Sequence, residues 1–276
     1  MDKVAILLCT FNGERYINYL IDSIREQSFT DWILYIHDDG STDKTIQICS
    51  HYNEVDKRVI IINDANKHRG AKDSFLWLLE QVEADYYLFC DQDDIWLPFK
   101  IEQSLEYIKQ IENHNPNKPI CIHTDLTIVD KHHNMISTSL WKSSKIKPKF
   151  LENKNYIQVF NCVTGCTMIF NSIAKRCAFP VNGKAPMHDF WVAYSCLANG
   201  GVVSHINKPT VLYCQHEDNK IGANIIDRSY ASNKIIHFSR TIKENVSQFQ
   251  IMHKISGISF YKYLLCKVSY EFVRFI

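Results

Sequence analysis

Over residues 1–125 the chain alternates short, unbroken apolar runs with longer stretches that carry apolar residues at helical spacing. Val4–Cys9, Ile33–His37, Val59–Ile62 and Tyr86–Cys90 are runs of the first kind and predict strands covered on both faces. Between them, Glu14–Gln27 places Ile17, Leu20, Ile21 and Ile24 on one helical face. Asp43–His51 predicts a helix after the turn Asp39-Gly40-Ser41-Thr42, with Ser41 or Thr42 as its cap. Ala71–Val82, with Phe75, Leu78, Leu79 and Val82, and Leu97–Ile111, with Pro98 in its first turn, complete the set. Strands alternating with helices in this way predict an α/β fold with a mainly parallel sheet flanked by helices.

The second half is less regular. Ile120–His123 and Thr167–Phe170 predict strands, Asp189–Ala198 a helix, and Val202–His205 and Thr210–Cys214 two short strands. The end of the chain changes character. Residues 228–276 hold eight Lys/Arg against two Asp/Glu, a net charge of +6, and residues 260–276 are aromatic and basic throughout. Two roles suit a helical tail of that composition: an amphipathic helix packed on the body, or an element lying on a membrane surface.

Composition removes several classes. Hydrophobic residues are 46% and charged residues 22% of the 276, so a disordered chain is excluded. The formal net charge of +1 gives no global field for nucleic acid, and none is expected as a partner. No apolar stretch reaches the roughly 18–20 residues of a spanning helix, and no secretory signal opens the chain. Ten cysteines, several within apolar runs as Cys9 and Cys90 are, predict small buried side chains in a reduced, cytoplasmic setting.

In open parallel sheets, ligands bind beyond the carboxyl ends of the strands. Thr10-Phe11-Asn12-Gly13 follows the first strand, Asp38-Asp39-Gly40 the second, Asn63 to Gly70 the third and Asp91-Gln92-Asp93-Asp94 the fourth. Three acids within four residues repel one another unless solvent or a cation neutralises them, and hard oxygen ligands suit Mg²⁺ or Mn²⁺. Alone, the same acids could cap the helix that follows. Asp189, beside His188 and aromatic residues, is either a helix cap or a partly desolvated general base. His216 after the last strand is a metal or phosphate contact, or a surface histidine.

Taken together these segments resemble the family-2 glycosyltransferases of GT-A (Rossmann-like) fold, over roughly residues 3–222. The resemblance rests on Leu8-Cys9-Thr10-Phe11-Asn12-Gly13-Glu14, His37-Asp38-Asp39-Gly40-Ser41-Thr42-Asp43, the DQDD of 91–94 with Trp96, Asn161 to Thr167, His188-Asp189 and Tyr213-Cys214-Gln215-His216. It implies a glycosyltransferase domain over 1–225, with a nucleotide-binding half (1–125) and an acceptor half (126–225), followed by a helical tail at 226–276. It implies that Thr10, Asn12 and Asp39 hold the nucleoside, that Asp91 contacts the ribose or the metal-bound diphosphate, and that Asp93 holds the metal. It implies Asp189 as catalytic base and His216 as a diphosphate or metal-side contact, with Gly70 and Lys72 lining the donor pocket. Cys214 stands where the family usually has Arg, which removes that diphosphate contact. The DQDD, TGC and HD segments resemble the rhamnosyltransferase branch of bacterial surface polysaccharide synthesis. The implied activity is inverting and non-processive, with a dTDP-rhamnose or else a UDP-sugar donor and a lipid-linked glycan acceptor.

Three other readings compete. Asp91-Gln92-Asp93 superficially matches an aspartyl-phosphate nucleophile, but Ile95 stands where Thr or Val is expected. No GxGxxG or P-loop follows any strand, which argues against a dinucleotide oxidoreductase. A non-catalytic subunit that binds a sugar nucleotide would share the fold but transfer nothing.

Overall fold

The computed structural model describes residues 2–64, 68–216 and 238–276. In chain order the elements are β1 (Val4–Thr10), α1 (Ile17–Arg25), β2 (Trp32–Asp38), α2 (Thr45–Val55), β3 (Val59–Ile61), α3 (Ala71–Gln81), β4 (Tyr86–Cys90), β5 (Ile95–Trp96) and α4 (Lys100–His114). There follow β6 (Ile120–Asp130), β7 (Met135–Ser137), the short helices α5 (Leu140–Ser143) and α6 (Pro148–Leu151), β8 (Ile169–Asn171), α7 (Ser172–Cys177), α8 (His188–Ala198) and β9 (Val202–Gln215). Two C-terminal helices, α9 (Phe238–Ser256) and α10 (Phe260–Phe275), close the chain.

The strands form one sheet in the order β3-β2-β1-β4-β8-β6-β9-β5, with β7 paired to β6. Strands β3, β2, β1 and β4 are mutually parallel, and so are β6 and β9. Strand β8 runs antiparallel between β4 and β6, and β5 antiparallel on β9, so the sheet is mixed rather than simply parallel. From β1 the chain moves outward through β2 and β3, then returns to place β4 on the other side of β1. That reversal opens a crevice between the carboxyl ends of β1 and β4.

Strand β1 shows why both faces are covered. Val4, Ile6 and Leu8 point into a core built with α1, α2 and α4, whereas Ala5 and Leu7 point into a core built with α3, α8 and the C-terminal helices. Leu7, Leu8, Phe89 and Cys90 have no exposed surface. All ten cysteines are free thiols, eight of them buried, as the packing reading expected.

Two elements depart from the sequence pattern. The helix predicted from Leu97 begins at Lys100. The Leu97 amide instead donates to the Thr210 carbonyl, and Gln27 binds both the Leu97 carbonyl and the Ile101 amide. Ile95–Trp96 is thereby drawn into a strand on β9. The two strands predicted at 202–205 and 210–214 are one, because Asn207 and Lys208 bulge out while Pro209 re-enters the ladder opposite Asp125.

Candidate active site

Strand β1 ends at Thr10, whose hydroxyl donates to Asp38 Oδ1 at 2.8 Å. Asp38 is consumed in its own turn, accepting the Gly40 and Ser41 amides. Asn12 adopts a left-handed φ of 50°. Its side-chain oxygen accepts the Thr42 amide and its own amide donates to Ser41 Oγ, so the loops after β1 and β2 are laced together. Asp39, 7% exposed, accepts the amides of Arg69 at 2.8 Å and Gly70 at 2.9 Å. It therefore ties the loop after β3 to the loop after β2.

The fourth loop is clamped to the first. Gln92 Oε1 accepts the Phe11 amide at 2.9 Å, and Gln92 Nε2 donates to the Phe11 carbonyl at 3.0 Å. A Cβ added at Gly13 would lie 2.4 Å from Gln92 Oε1, so glycine is required there for the clamp to close. This pair of hydrogen bonds fixes the loop whose Asp91 and Asp93, flanking Gln92, line the crevice. Asp93 Oδ2 lies 2.9 Å from His216 Nε2, and the His216 ring stacks on Tyr16 at 4.6 Å. Burial, then the neighbouring charges of Asp93 and Asp189, raise the Asp91 carboxyl to about 7.

Asp94 points the other way. It is fully buried and absent from the crevice lining, and burial followed by Asp93 and Asp91 raises its carboxyl strongly. Asp91, Asp94 and Cys166 offer ligand atoms within 4.8 Å of one another. Asp94 and Cys166 nonetheless belong to the inner side of the loop, where the buried Lys100 ammonium sits 4.7 Å from the Trp96 ring. Burial pushes Lys100 down to about 8. Access from the crevice therefore favours Asp91 and Asp93, not this inner trio, as the carboxylates that meet a ligand.

Asp189 lies in the first turn of α8. Its carboxylate accepts the Phe190 amide and, at 3.2 Å, the Gly165 amide from the Gly165–Thr167 turn. Those bonds favour the ionised form, but burial outweighs them and raises the group to about 6. His188 is no partner in this chemistry. Its ring stacks on Phe75 at 4.2 Å and meets Phe89 edge-on at 4.8 Å, and burial lowers it to about 3. The ring is therefore a neutral, tightly packed element beside Asp189. A Cβ at Gly165 would come within 2.9 Å of His188 Nε2, and the two phenylalanines leave that ring little room to yield. Gly165→Ala is accordingly expected to shift Asp189 and lower kcat about tenfold or more, with donor affinity little changed. A donor titration beside a turnover assay separates the two effects.

Thr10, Asn12, Asp39, Gly70, Asp91, Asp93, Asp189 and His216 line one cleft of about 2000 Å³. Lys72 is not among the lining residues, and its ammonium pairs with the adjacent Asp73 at 3.3 Å. The volume exceeds the roughly 300–1000 Å³ usual for one small ligand, which leaves room for two substrates side by side.

Residues 5–177 match the family model described as "Glycosyl transferase family 2". The chain belongs to that family.

Among the relatives of this family 2 glycosyltransferase is the "dTDP-rhamnosyl transferase RfbG" of Shigella flexneri, 30% identical over 79% of this chain and 74% of the relative. The "Putative teichuronic acid biosynthesis glycosyltransferase TuaG" of Bacillus subtilis is 31% identical over 39% of this chain and 42% of its own. Among solved structures, S. aureus TarS 1-349 in complex with UDP-GlcNAc superposes with a TM-score of 0.58 at 20% identity. That match covers 79% of this chain and 60% of TarS 1-349. The mannosyltransferase PcManGT of Pyrobaculum calidifontis, solved with GDP-Man and Mn2+, gives 0.57 at 15% identity over 87% of this chain and 64% of its own. These superpositions establish the GT-A fold.

Several features of the glycosyltransferase cleft were not singled out from sequence. Gln92 carries its clamp inside the acidic motif itself, where only the spacing draws notice. The backbone donor at Gly165 has no side chain to signal it. Lys243, Ser247 and Gln248 of α9 also line the cleft, beyond the point at which the family model stops.

Proposed function

We propose that this family 2 enzyme is an inverting, non-processive transferase that moves one sugar per encounter from a nucleoside diphosphate to a glycan hydroxyl. The observation that carries this reading is the convergence of Asp91, Asp93, Asp189 and His216 on a single cleft large enough for donor and acceptor together. Thr10, Asn12 and the loop held by Asp39 form the end suited to the nucleoside.

Asp91 and Asp93 fit a divalent cation, Mg²⁺ or Mn²⁺, because they present two mutually repelling carboxylates to an anionic ligand in the same cleft. When bound, such a cation supplies positive charge against the departing diphosphate. His216, beside Asp93, is placed to contact the same end of the donor.

In the same cleft Asp189 takes the acceptor proton. The acceptor oxygen forms its bond to the anomeric carbon as the bond from that carbon to the diphosphate oxygen breaks. The electron pair leaves on the nucleoside diphosphate and the proton ends on the Asp189 carboxylate. Attack opposite the leaving group inverts the anomeric centre, and no covalent sugar–enzyme intermediate is needed.

Similarity to the Shigella flexneri protein supports dTDP-rhamnose as donor, with UDP-sugars as the alternative. We place the reaction in bacterial surface polysaccharide synthesis, on a lipid-linked acceptor at the cytoplasmic side. Among the described residues no helix is long and apolar enough to cross a membrane. A panel of dTDP-rhamnose, UDP-glucose, UDP-GlcNAc and GDP-mannose, scored by release of nucleoside diphosphate with and without Mn²⁺, tests the donor. The expected result is release that favours dTDP-rhamnose and requires the cation. Binding without release from any donor would support a non-catalytic subunit instead.

A further inference from the structure

Helix α10 carries an apolar stripe that faces away from the body. At about 100° per residue, Tyr261, Leu264, Leu265, Val268, Phe272, Phe275 and Ile276 fall within an arc of roughly 120° on one side. All seven are exposed, from 47% for Leu264 to 81% for Ile276. Among the described residues, half of the sixteen exposed large hydrophobic side chains lie in 260–276. The opposite side, Tyr263, Cys266, Tyr270 and Arg274, is buried against the body.

That buried side is held by polar bonds. Tyr263 Oη and Lys267 Nζ each donate to Gln248 Oε1 at 2.9 Å. Tyr270 Oη accepts the Lys147 amide, and Arg274 donates to the Ser144 carbonyl at 2.8 Å while its guanidinium covers Phe160. A surface helix ordinarily turns its apolar stripe inward and its polar face to water. Here the docked face combines core packing of Tyr263, Cys266 and Tyr270 with hydrogen bonds, and a second, apolar stripe faces out. The packing role suggested by the tail's composition is met by one face of the helix, and the stripe lies on the other.

Charge indicates what covers the stripe. Residues 228–276 carry eight basic against two acidic side chains, whereas residues 1–227 carry 23 basic against 28 acidic, a net −5. The basic excess is confined to the segment that bears the stripe. An aromatic and aliphatic face bordered by the exposed Lys262, on a segment of net positive charge, is what an anionic lipid surface takes up. A second copy of the chain is a poorer fit. The helix is about 24 Å long, and one such stripe offers less than the ~800 Å² per partner of a standard interface.

We propose that α10 lies flat on an anionic bilayer, with its Tyr261–Ile276 stripe in the headgroup boundary. Among the described residues α10, like every other helix, is not long and apolar enough to cross. Gln248 links this surface to the cleft, since it lines the cleft from α9 and accepts both hydrogen bonds from α10. A chain seated this way holds the acceptor end of its cleft at the lipid surface. The membrane assignment itself does not depend on the transferase reading, because binding is measured without donor or acceptor.

The test is co-sedimentation of the full chain with vesicles of phosphatidylcholine alone and of phosphatidylcholine mixed with phosphatidylglycerol. The comparison variant is Leu264→Glu/Val268→Glu/Phe272→Glu, whose three positions are exposed. Circular dichroism and a thermal melt confirm that it folds. The expected result is binding to the anionic vesicles, weaker binding to the neutral ones, and at least a tenfold loss in the folded variant. A second variant, Lys262→Glu, should weaken the preference for anionic lipid while retaining residual binding. Absence of vesicle binding by the wild-type chain would overturn the proposal, as would a folded stripe variant that binds like wild type. So would a wild-type dimer in light scattering that the stripe substitutions dissociate, because a second copy would then occupy the surface.

Discussion

Asp189→Asn is expected to abolish sugar transfer while leaving donor binding intact. The amide keeps the shape of the carboxylate and can still accept one of the two backbone bonds from Gly165 and Phe190. It cannot take a proton. A positioned general base contributes about 10²–10⁴ in rate, so a loss of about a thousandfold in kcat, or ~4 kcal/mol of barrier, is the expected size. Donor affinity should stay within about twofold, because the nucleoside end of the cleft is built from other loops. The same residue sets the pH profile. Burial raises Asp189 to about 6, so its basic form is lost as pH falls through that value. In the wild-type enzyme, kcat should fall with an acid limb near pH 6 and flatten above it. An Asp189→Asn enzyme that turns over at a wild-type rate would exclude it as the base. An acid limb near the ordinary carboxylate value would contradict the burial argument.

Asp93→Asn is expected to act on the other half of the reaction. Its carboxylate is the one that faces both the cleft and His216, and replacing it removes charge where a divalent cation would bind. Transfer should fall at least a hundredfold, consistent with the several kcal/mol attributed to metal-held charge at a leaving group. Donor affinity should also become insensitive to Mn²⁺, which Asp189→Asn would not cause. Titrations of nucleoside diphosphate with and without Mn²⁺ on the two variants distinguish a lost base from a lost cation site. Full activity of the wild-type chain after exhaustive chelation would contradict this assignment.

Much of the nucleotide-binding half was legible in the chain because buried strands leave a plain signature. Tyr86–Cys90 is five apolar residues bounded by acids, and the strand has those same limits. Strand ends in a parallel sheet then direct attention to the acids that follow them, which is how Asp39, Asp91 and Asp93 were found. What was not legible depends on contacts distant in sequence. The apolar pattern predicts two strands, at 202–205 and 210–214, but a bulge at Asn207 and Lys208 makes them one. Leu97 carried helical periodicity, but its amide is taken by Thr210. His188 and Asp189 are adjacent in sequence and both border the cleft, yet one is a neutral ring held by aromatic packing and the other a carboxylate held by backbone amides. Only the packing of Phe75 and Phe89 separates them. Composition marked the tail as basic and aromatic, but the docked face of α10 is set by Gln248, Ser144 and Lys147 on other elements.

The most direct measurement is the position of Mn²⁺, located by anomalous scattering, in crystals grown with Mn²⁺ and a nucleoside diphosphate. The account predicts one strong peak within ligand distance of Asp93, with the diphosphate against it and the nucleoside between the Thr10–Asn12 loop and the loop held by Asp39. A nucleotide bound outside this cleft, or bound within it with no ion near Asp91 or Asp93, would contradict the account.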